Sequence, residues 1–305
     1  MATAKFEPTY AVTKSSRNVF NVRCTPKGTL SKWEQWFLLT SDRHWDNPKS
    51  DWELQKKHLE QARERNAGII DCGDFFCAMQ GKYDPRSSKA DIRPEHKVPE
   101  YLDALVDTAS DFFLPYADQF IVIARGNHEA SILKRQETDL IERLTSQIKY
   151  RTSHRIHNGG YSGFVRFSIS DPSTNRVSGR TLILHYSHGA GGGGPVTKGV
   201  IKTARKAVYL PDPHIVISGH IHESWKVDLM RLRLGKTGTY HDKQTHLCIP
   251  TYKEEFKDGY DGWHVERGAP PKPTGAYWLR LFYVNKRDED LGFNKYIDYE
   301  ILEAK

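Results

Sequence analysis

Short apolar runs recur along the chain, and each ends abruptly in small or polar residues. They lie at 36–40 (WFLLT), 68–71 (GIID), 120–124 (FIVIA), 181–185 (TLILH) and 214–218 (HIVIS). Runs of this length and composition predict strands. Between them stand polar segments with helical spacing, at 51–67, 101–114 and 130–149. In the second of these, Leu102, Leu105, Val106 and Phe113 fall on roughly one face. Strand and helix alternate, which predicts an α/β architecture.

After residue 222 the pattern changes. Segments 224–234, 245–251, 276–285 and 295–302 read as antiparallel strands, and 161–170 as another. The expected fold is α/β, a four-layer sandwich of two mixed β-sheets flanked by helices, in a single domain over 1–305. Two polar, Pro-containing segments, 77–100 and 253–275, are expected as insertions or long loops. The stretch 197–209 (TKGVIKTARKAVY) reads as a helix that places Lys198, Lys202 and Arg205 on one face, with Lys206 at its edge.

Composition narrows the picture a little. Lysine and arginine number 45 against 38 acidic residues, a formal charge of +7 that suits a polyanionic partner such as DNA or RNA. No apolar run approaches the ~20 residues of a membrane helix, and the N-terminal residues lack the apolar core of a secretory signal, so a cytoplasmic protein without a membrane partner is expected. Cys24, Cys72, Cys77 and Cys248 show no zinc-ribbon spacing and read as reduced, partly buried thiols.

The candidate chemistry lies directly after the strand-like runs, where open α/β sheets gather their ligand sites. Asp42 and His44 follow the first run; as alternate residues of an extended segment they would point the same way. Gly73-Asp74 follows the second, Gly73 permitting a sharp turn and Asp74 offering two oxygens. Arg125-Gly126-Asn127-His128-Glu129 follows the third. His185 and His188 close the fourth, and His220 and His222 follow the fifth. Singly, each residue reads as a cap, a turn former or an ordinary polar contact. Together they make an oxygen and nitrogen donor set suited to Mn, Fe, Zn or Ni rather than to Mg or Ca.

Asp-x-His, Gly-Asp, Gly-Asn-His-Glu, His and Gly-His-x-His, in that order over residues 42–222, resemble the signature of the calcineurin-like metallophosphoesterase superfamily. The resemblance implies two divalent metal ions, with Mn the first expectation. Asp42, His44, Asp74 and His222 would hold one ion, Asp74 would bridge, and Asn127, His188 and His220 would complete the second site. His188, just before Gly189, fits the family's fourth motif better than His185. His128 would face the substrate, Glu129 would orient it, and a metal-bridging hydroxide would be the nucleophile. The implied reaction is phosphate-ester hydrolysis.

The net charge and a basic substrate-binding set (Arg125, Lys198, Lys202 and Arg205) favour a phosphodiesterase or nuclease, nearest in character to bacterial and phage DNA-repair exonucleases. The aromatic segment 260–263 would offer a stacking surface for bases. Those exonucleases usually carry an added C-terminal DNA-capping region, whereas only about 80 residues follow His222. The alternative is a phosphomonoesterase acting on a phosphoprotein or small molecule. The glycine run at 189–194 lacks the Lys-Ser/Thr of a nucleotide-binding loop and reads as an irregular loop beside the site, with substrate gating as its sharper role.

Overall fold

Alternation within the apolar runs decides which core each side chain joins. In the first run Phe37 and Leu39 face one core while Leu38 faces another. Strands that are apolar on both sides belong in the middle of a layered sandwich. A computed structural model describes residues 6–81, 83, 87, 91–170, 181–194, 196–235, 238–260, 263–288 and 292–305.

The first half of the chain contains β1 (Tyr10–Ser16), β2 (Val19–Cys24), β3 (Glu34–Thr40), α1 (Trp52–Glu64), β4 (Gly68–Asp71), α2 (Tyr101–Phe113), β5 (Phe120–Ile123), α3 (Asn127–Gln136) and α4 (Leu140–Thr152). There follow β6 (His157–Asn158), β7 (Ser162–Ile169), β8 (Leu182–Ser187), α5 (Lys202–Tyr209), β9 (Ile215–Ser218), β10 (Trp225–Leu234), β11 (Thr239–Cys248), α6 (Trp263–Glu266), β12 (Ala276–Asp288) and β13 (Gly292–Ala304). One sheet has the order β13-β12-β3-β4-β5-β6 and the other β1-β2-β7-β8-β9-β11-β10. Both are mixed: β3 to β6 run parallel with β12 and β13 antiparallel beside them, and β8, β9 and β11 are parallel in the other sheet.

The expected α/β sandwich of two mixed sheets is therefore the fold observed. Phe37, Leu39, Ile70 and Val122 of one sheet meet Phe167, Leu184, Ile215 and Ile217 of the other in the core between them. Leu38, Ile69, Ile123 and Trp278 pack outward against residues of α1, α2 and α4. Thr203 and Lys206 of α5 lie with Val216 and His246 along a small cavity on the far side of the second sheet.

Several local expectations change. The helix expected at 130–149 is two helices, because Glu137 adopts a left-handed conformation (φ 54°) that ends α3. Asp139 then caps α4 by accepting hydrogen bonds from the amides of Ile141 and Glu142. The helix expected at 197–209 begins only at Lys202. Lys198 and Gly199 have φ of 45° and 79° and cannot extend it, so Lys198 does not share a helical face with Lys202 and Arg205. The β1–β2 hairpin had no clear signal, since β1 is exposed along most of its length. Part of 77–100 and residues 261–262 of the aromatic segment lie outside the described residues.

His58, on α1, is wholly buried with Nδ1 2.8 Å from the Tyr252 hydroxyl. Burial, reinforced by the nearby Arg43, pushes its pKa down to about 4. An unfolded chain takes up that proton near pH 6.5, so this contribution to stability is complete above 6.5 and lost as pH falls towards 4. Urea denaturation at pH 7 and 4.5 should show roughly 2.5 kcal/mol of acid destabilisation from this site. His58→Gln should flatten that part of the pH profile; an unchanged slope would assign it to other groups.

Candidate metal centre

The centre is assembled by chain that runs on beyond the strand ends. After β3 and β4 the backbones remain paired, with the amides of Asp42, His44 and Trp45 donating to the carbonyls of Gly73, Asp74 and Phe75 at 2.8–3.0 Å. The Asp42 carbonyl accepts from the Tyr252 amide (3.0 Å) and the Thr251 hydroxyl (2.9 Å). These segments are not the extended continuation expected for Asp-x-His, and the segment carrying His220 and His222 is not extended either. Asp42, His44, Asp74, His220 and His222 all have φ between 44° and 74°. Each such non-glycine conformation costs on the order of 1–3 kcal/mol, which the surrounding packing must offset.

Two glycines are required by close approach. A Cβ on Gly126 would lie 2.0 Å from Asp74 Oδ1, and one on Gly219 would lie 2.3 Å from Asp42 Oδ2 and 1.9 Å from the Ser41 hydroxyl. Glycine at these two positions lets the third and fifth motifs close onto the carboxylates of the first and second.

The predicted residues form two sets. Donor atoms of Asp42, His44 and His222 lie within 4.8 Å of one another, as do those of Asp74, His188 and His220. His222 Nε2 is 3.2 Å from Asp42 Oδ1 and 3.2 Å from His44 Nε2. His188 Nε2 is 3.1 Å from Asp74 Oδ2 and 3.1 Å from Asn127 Oδ1. Its Nδ1 faces the Cys72 carbonyl, which orients the ring. His185 points elsewhere, bonded to the Ser162 hydroxyl and packed on Phe164.

Asp42 Oδ1 tests whether the residues fit an ion. It is buried without a hydrogen-bond partner, and two imidazole nitrogens converge beside it. A buried carboxylate oxygen with this surrounding lacks only a cation, so the donor set fits a divalent metal. Burial would raise the pKa of Asp74, but His128 and His188 outweigh it and hold the carboxyl well below the usual range. Burial opposes charge on His188 too, yet Asp74 pushes that ring up to about 9, so an ion must displace its proton.

His128 and Glu129 adjoin these sets in a different relation from the one expected. His128 Nδ1 lies 2.5 Å from the Cys77 carbonyl, and its Nε2 lies 3.8 Å from Asp74 Oδ2. Glu129 does not supply the partner at Nδ1. Its two oxygens accept from the amides of Phe76 and Gly126, both at 2.7 Å, which ties the loop after β4 to the start of α3. Burial and Asp74 raise its pKa to about 8.

Of the basic set, Arg125 lies 3.4 Å from Asp139 and lines a separate cleft. Lys202 donates to the carbonyls of Ala190 and Gly192, pinning the glycine-rich loop, and Lys198 stands 4.0 Å from Glu223. Arg205 is exposed on α5.

Sequence reading missed other contributors. Arg43, the residue between the two first-motif ligands, is wholly buried with Nε 2.7 Å from Asp71 Oδ2, and Asp71 also accepts from the Thr40 hydroxyl and the Gly73 amide. An acid closing an apolar strand was the available signal. The cavity over the centre, about 600 Å³, is lined by His44, Asp74, Asn127 and His128, and also by Lys253, His264, Arg267 and Lys272 from the segment expected as an insertion.

The profile of the calcineurin-like phosphoesterases matches residues 36–224, more than half of the chain. The chain belongs to the calcineurin-like phosphoesterase family. The matched span of this phosphoesterase holds every ligand-type residue of the two sets. Similar solved structures include vacuolar protein sorting 29 from Cryptosporidium parvum, at 9% identity and TM-score 0.36 over 90% of this chain and 100% of that one. Vps29 from Entamoeba histolytica in complex with Zn²⁺ gives 8% identity and a TM-score of 0.33 over 88% and 99%. A predicted phosphoesterase from Streptococcus pneumoniae gives 10% and 0.29 over 89% and 99%. These likenesses are too distant to carry a role from those proteins to this one. No curated protein matches the chain.

His188→Ala should lower bound metal by about one equivalent while His185→Ala leaves it unchanged, as measured by elemental analysis after dialysis. Because ion and proton compete for His188, metal affinity in the parent should rise up to about tenfold per pH unit between 7 and 9. Loss of metal with His185 instead would move the ligand. Arg43→Met should cost about 3–5 kcal/mol in urea denaturation, since it leaves Asp71 buried without its cation. Adding Asp71→Asn should recover part of that loss.

Proposed function

We propose that this phosphoesterase hydrolyses phosphodiesters of nucleic acid at the two-set centre. The observation that carries the choice of substrate is a second cavity, lined in part by the same stretch of chain as the first. A cleft of about 700 Å³ is lined by Lys14, Arg17, Arg125 and Arg155, with Asp139 and Glu142. Arg125 lines this cleft, and Asn127 and His128, two and three residues on, line the metal pocket. A strand whose scissile phosphate lies at Asn127 and His128 can therefore lay its neighbouring phosphates along Lys14, Arg17 and Arg155. This cleft adds to the basic set expected from the sequence, of which Lys198 lines the metal pocket. The narrower likeness to DNA-repair exonucleases rests on the sequence resemblance alone.

Bound at the two sets, two divalent ions, Mn in the first expectation, supply neutralisation of phosphate charge and activation of water. The protein's own groups do the rest. Asp74 stands among His128, His188 and His44 as the carboxylate shared electrostatically by both sets. The Cys77 carbonyl fixes the His128 ring so that Nε2 faces the pocket; protonated, it donates to the leaving oxygen.

A phosphomonoesterase is the second reading, favoured by Lys253, Arg267 and Lys272 around the pocket, which suit a dianionic phosphate. With Mn, bis(p-nitrophenyl) phosphate should be hydrolysed faster than p-nitrophenyl phosphate; the opposite order would select the monoesterase. Replacing Lys14, Arg17 and Arg155 by Ala should weaken single-stranded oligonucleotide binding and lower its log–log salt slope by about 0.7 per lost contact. Hydrolysis of the small diester should hold. Unchanged oligonucleotide binding and salt slope would remove the cleft from the substrate path.

A further inference from the structure

We propose that His44, Cys77 and His128 form a third cation site, selective for a thiophilic divalent ion such as Zn²⁺ or Cd²⁺, whose occupation inhibits hydrolysis. Donor atoms of the three lie within 4.8 Å of one another. All three side chains are buried, at 2%, 0% and 8% exposure. This set is distinct from the two carboxylate–imidazole sets because its third member is a thiol.

The loop holds the thiol in place. The amides of Cys77 and Ala78 donate to the two oxygens of Asp46 at 2.5 and 2.8 Å, and Asn47 Nδ2 lies 3.5 Å from Cys77 Sγ. His128 is prepared as a ligand. With Nδ1–H donated to the Cys77 carbonyl, the neutral ring carries its lone pair on Nε2. On His44, Nε2 belongs to the Asp42–His222 set, whereas Nδ1 is buried without a hydrogen-bond partner. Lys253, paired with Glu255 at 2.7 Å, stands within electrostatic reach of Cys77.

Ion binding here replaces the thiol proton with a metal–sulfur bond, and the proton leaves to solvent. A thiolate with two imidazoles selects soft or borderline ions and discriminates against Mn²⁺, which prefers oxygen donors. Two of the three ligands are borrowed from the hydrolytic centre. His44 belongs to the first set, and His128 is the group that faces the leaving oxygen. An ion at this site therefore removes His128 from the substrate, a loss of about 10²-fold or more.

The inhibitory part of this inference rests on the proposed hydrolysis; the binding part does not. The experiment is a titration of the Mn-loaded protein with Cd²⁺, following ultraviolet thiolate-to-cadmium absorption together with hydrolysis of bis(p-nitrophenyl) phosphate. Cadmium exchanged into the oxygen and nitrogen sets gives no such band. The parent should develop the band and lose activity with the same midpoint. Cys77→Ser should show no band and keep activity at least tenfold higher at that concentration. Cys77→Ala, with folding checked by circular dichroism, repeats the test without the hydroxyl. No band in the parent, a band that persists in both variants, or equal inhibition of parent and variants overturns the proposal. A parent that shows the band but never hydrolyses the diester fails the proposed function and leaves the metal site standing.

Discussion

The buried ion pair between Arg43 and Asp71 underlies the rest of the site. Asp71 ends β4 and Arg43 sits between two residues of the first motif, so one interaction fastens the first and second ligand loops together. The guanidinium also reaches Thr40 and Gln55 and lies 5.2–5.7 Å from the ring centres of Phe75, Phe113, Phe120 and Tyr252. Burial raises the proton affinity of Asp71, opposed by Arg43, the Thr40 hydroxyl and the Gly73 amide. A charge so placed in an apolar layer tolerates few arrangements of its partners, which makes the pair a device for register.

Upon that frame the protein holds costly conformations. Five ligand-type residues adopt left-handed backbones, and Asp42 and Asp74 are buried as carboxylates. Neither would persist in a loop free to relax. They persist because the loops continue the hydrogen bonding of the parallel strands and because the sandwich core lies directly beneath. The strain and the buried charge have a common use: both hold oxygen and nitrogen donors in an arrangement that a cation would complete.

Substrate choice is laid over this centre by segments of weaker pattern. The β1–β2 hairpin contributes Lys14 and Arg17 to one cleft, and residues 253–272 contribute Lys253, His264, Arg267 and Lys272 to the other. The loop after β4 carries Asp74 and also brings Cys77 beside His44 and His128. Chemistry and specificity thus come from different parts of the chain.

That division also marks what could be read in advance. Strand runs such as 36–40 and 68–71 were legible because burial on both faces demands unbroken apolar residues, and the polar residues after them marked the ligand positions. The family signature is local in sequence, so Asp42, Asp74, Asn127 and His220 stood out before any fold was known. The partner of His128, the pinning of the glycine-rich loop by Lys202 and the burial of Arg43 were not legible. Each depends on a contact between segments far apart in sequence or on an irregular turn, and neither leaves a periodic trace. His185 and His188 mark the boundary: the sequence by itself placed two imidazoles at one strand end and, through the family motif, favoured His188, while only the tertiary structure, which folds distant segments together, set Asp74 and Asn127 beside that ring and turned His185 towards Ser162.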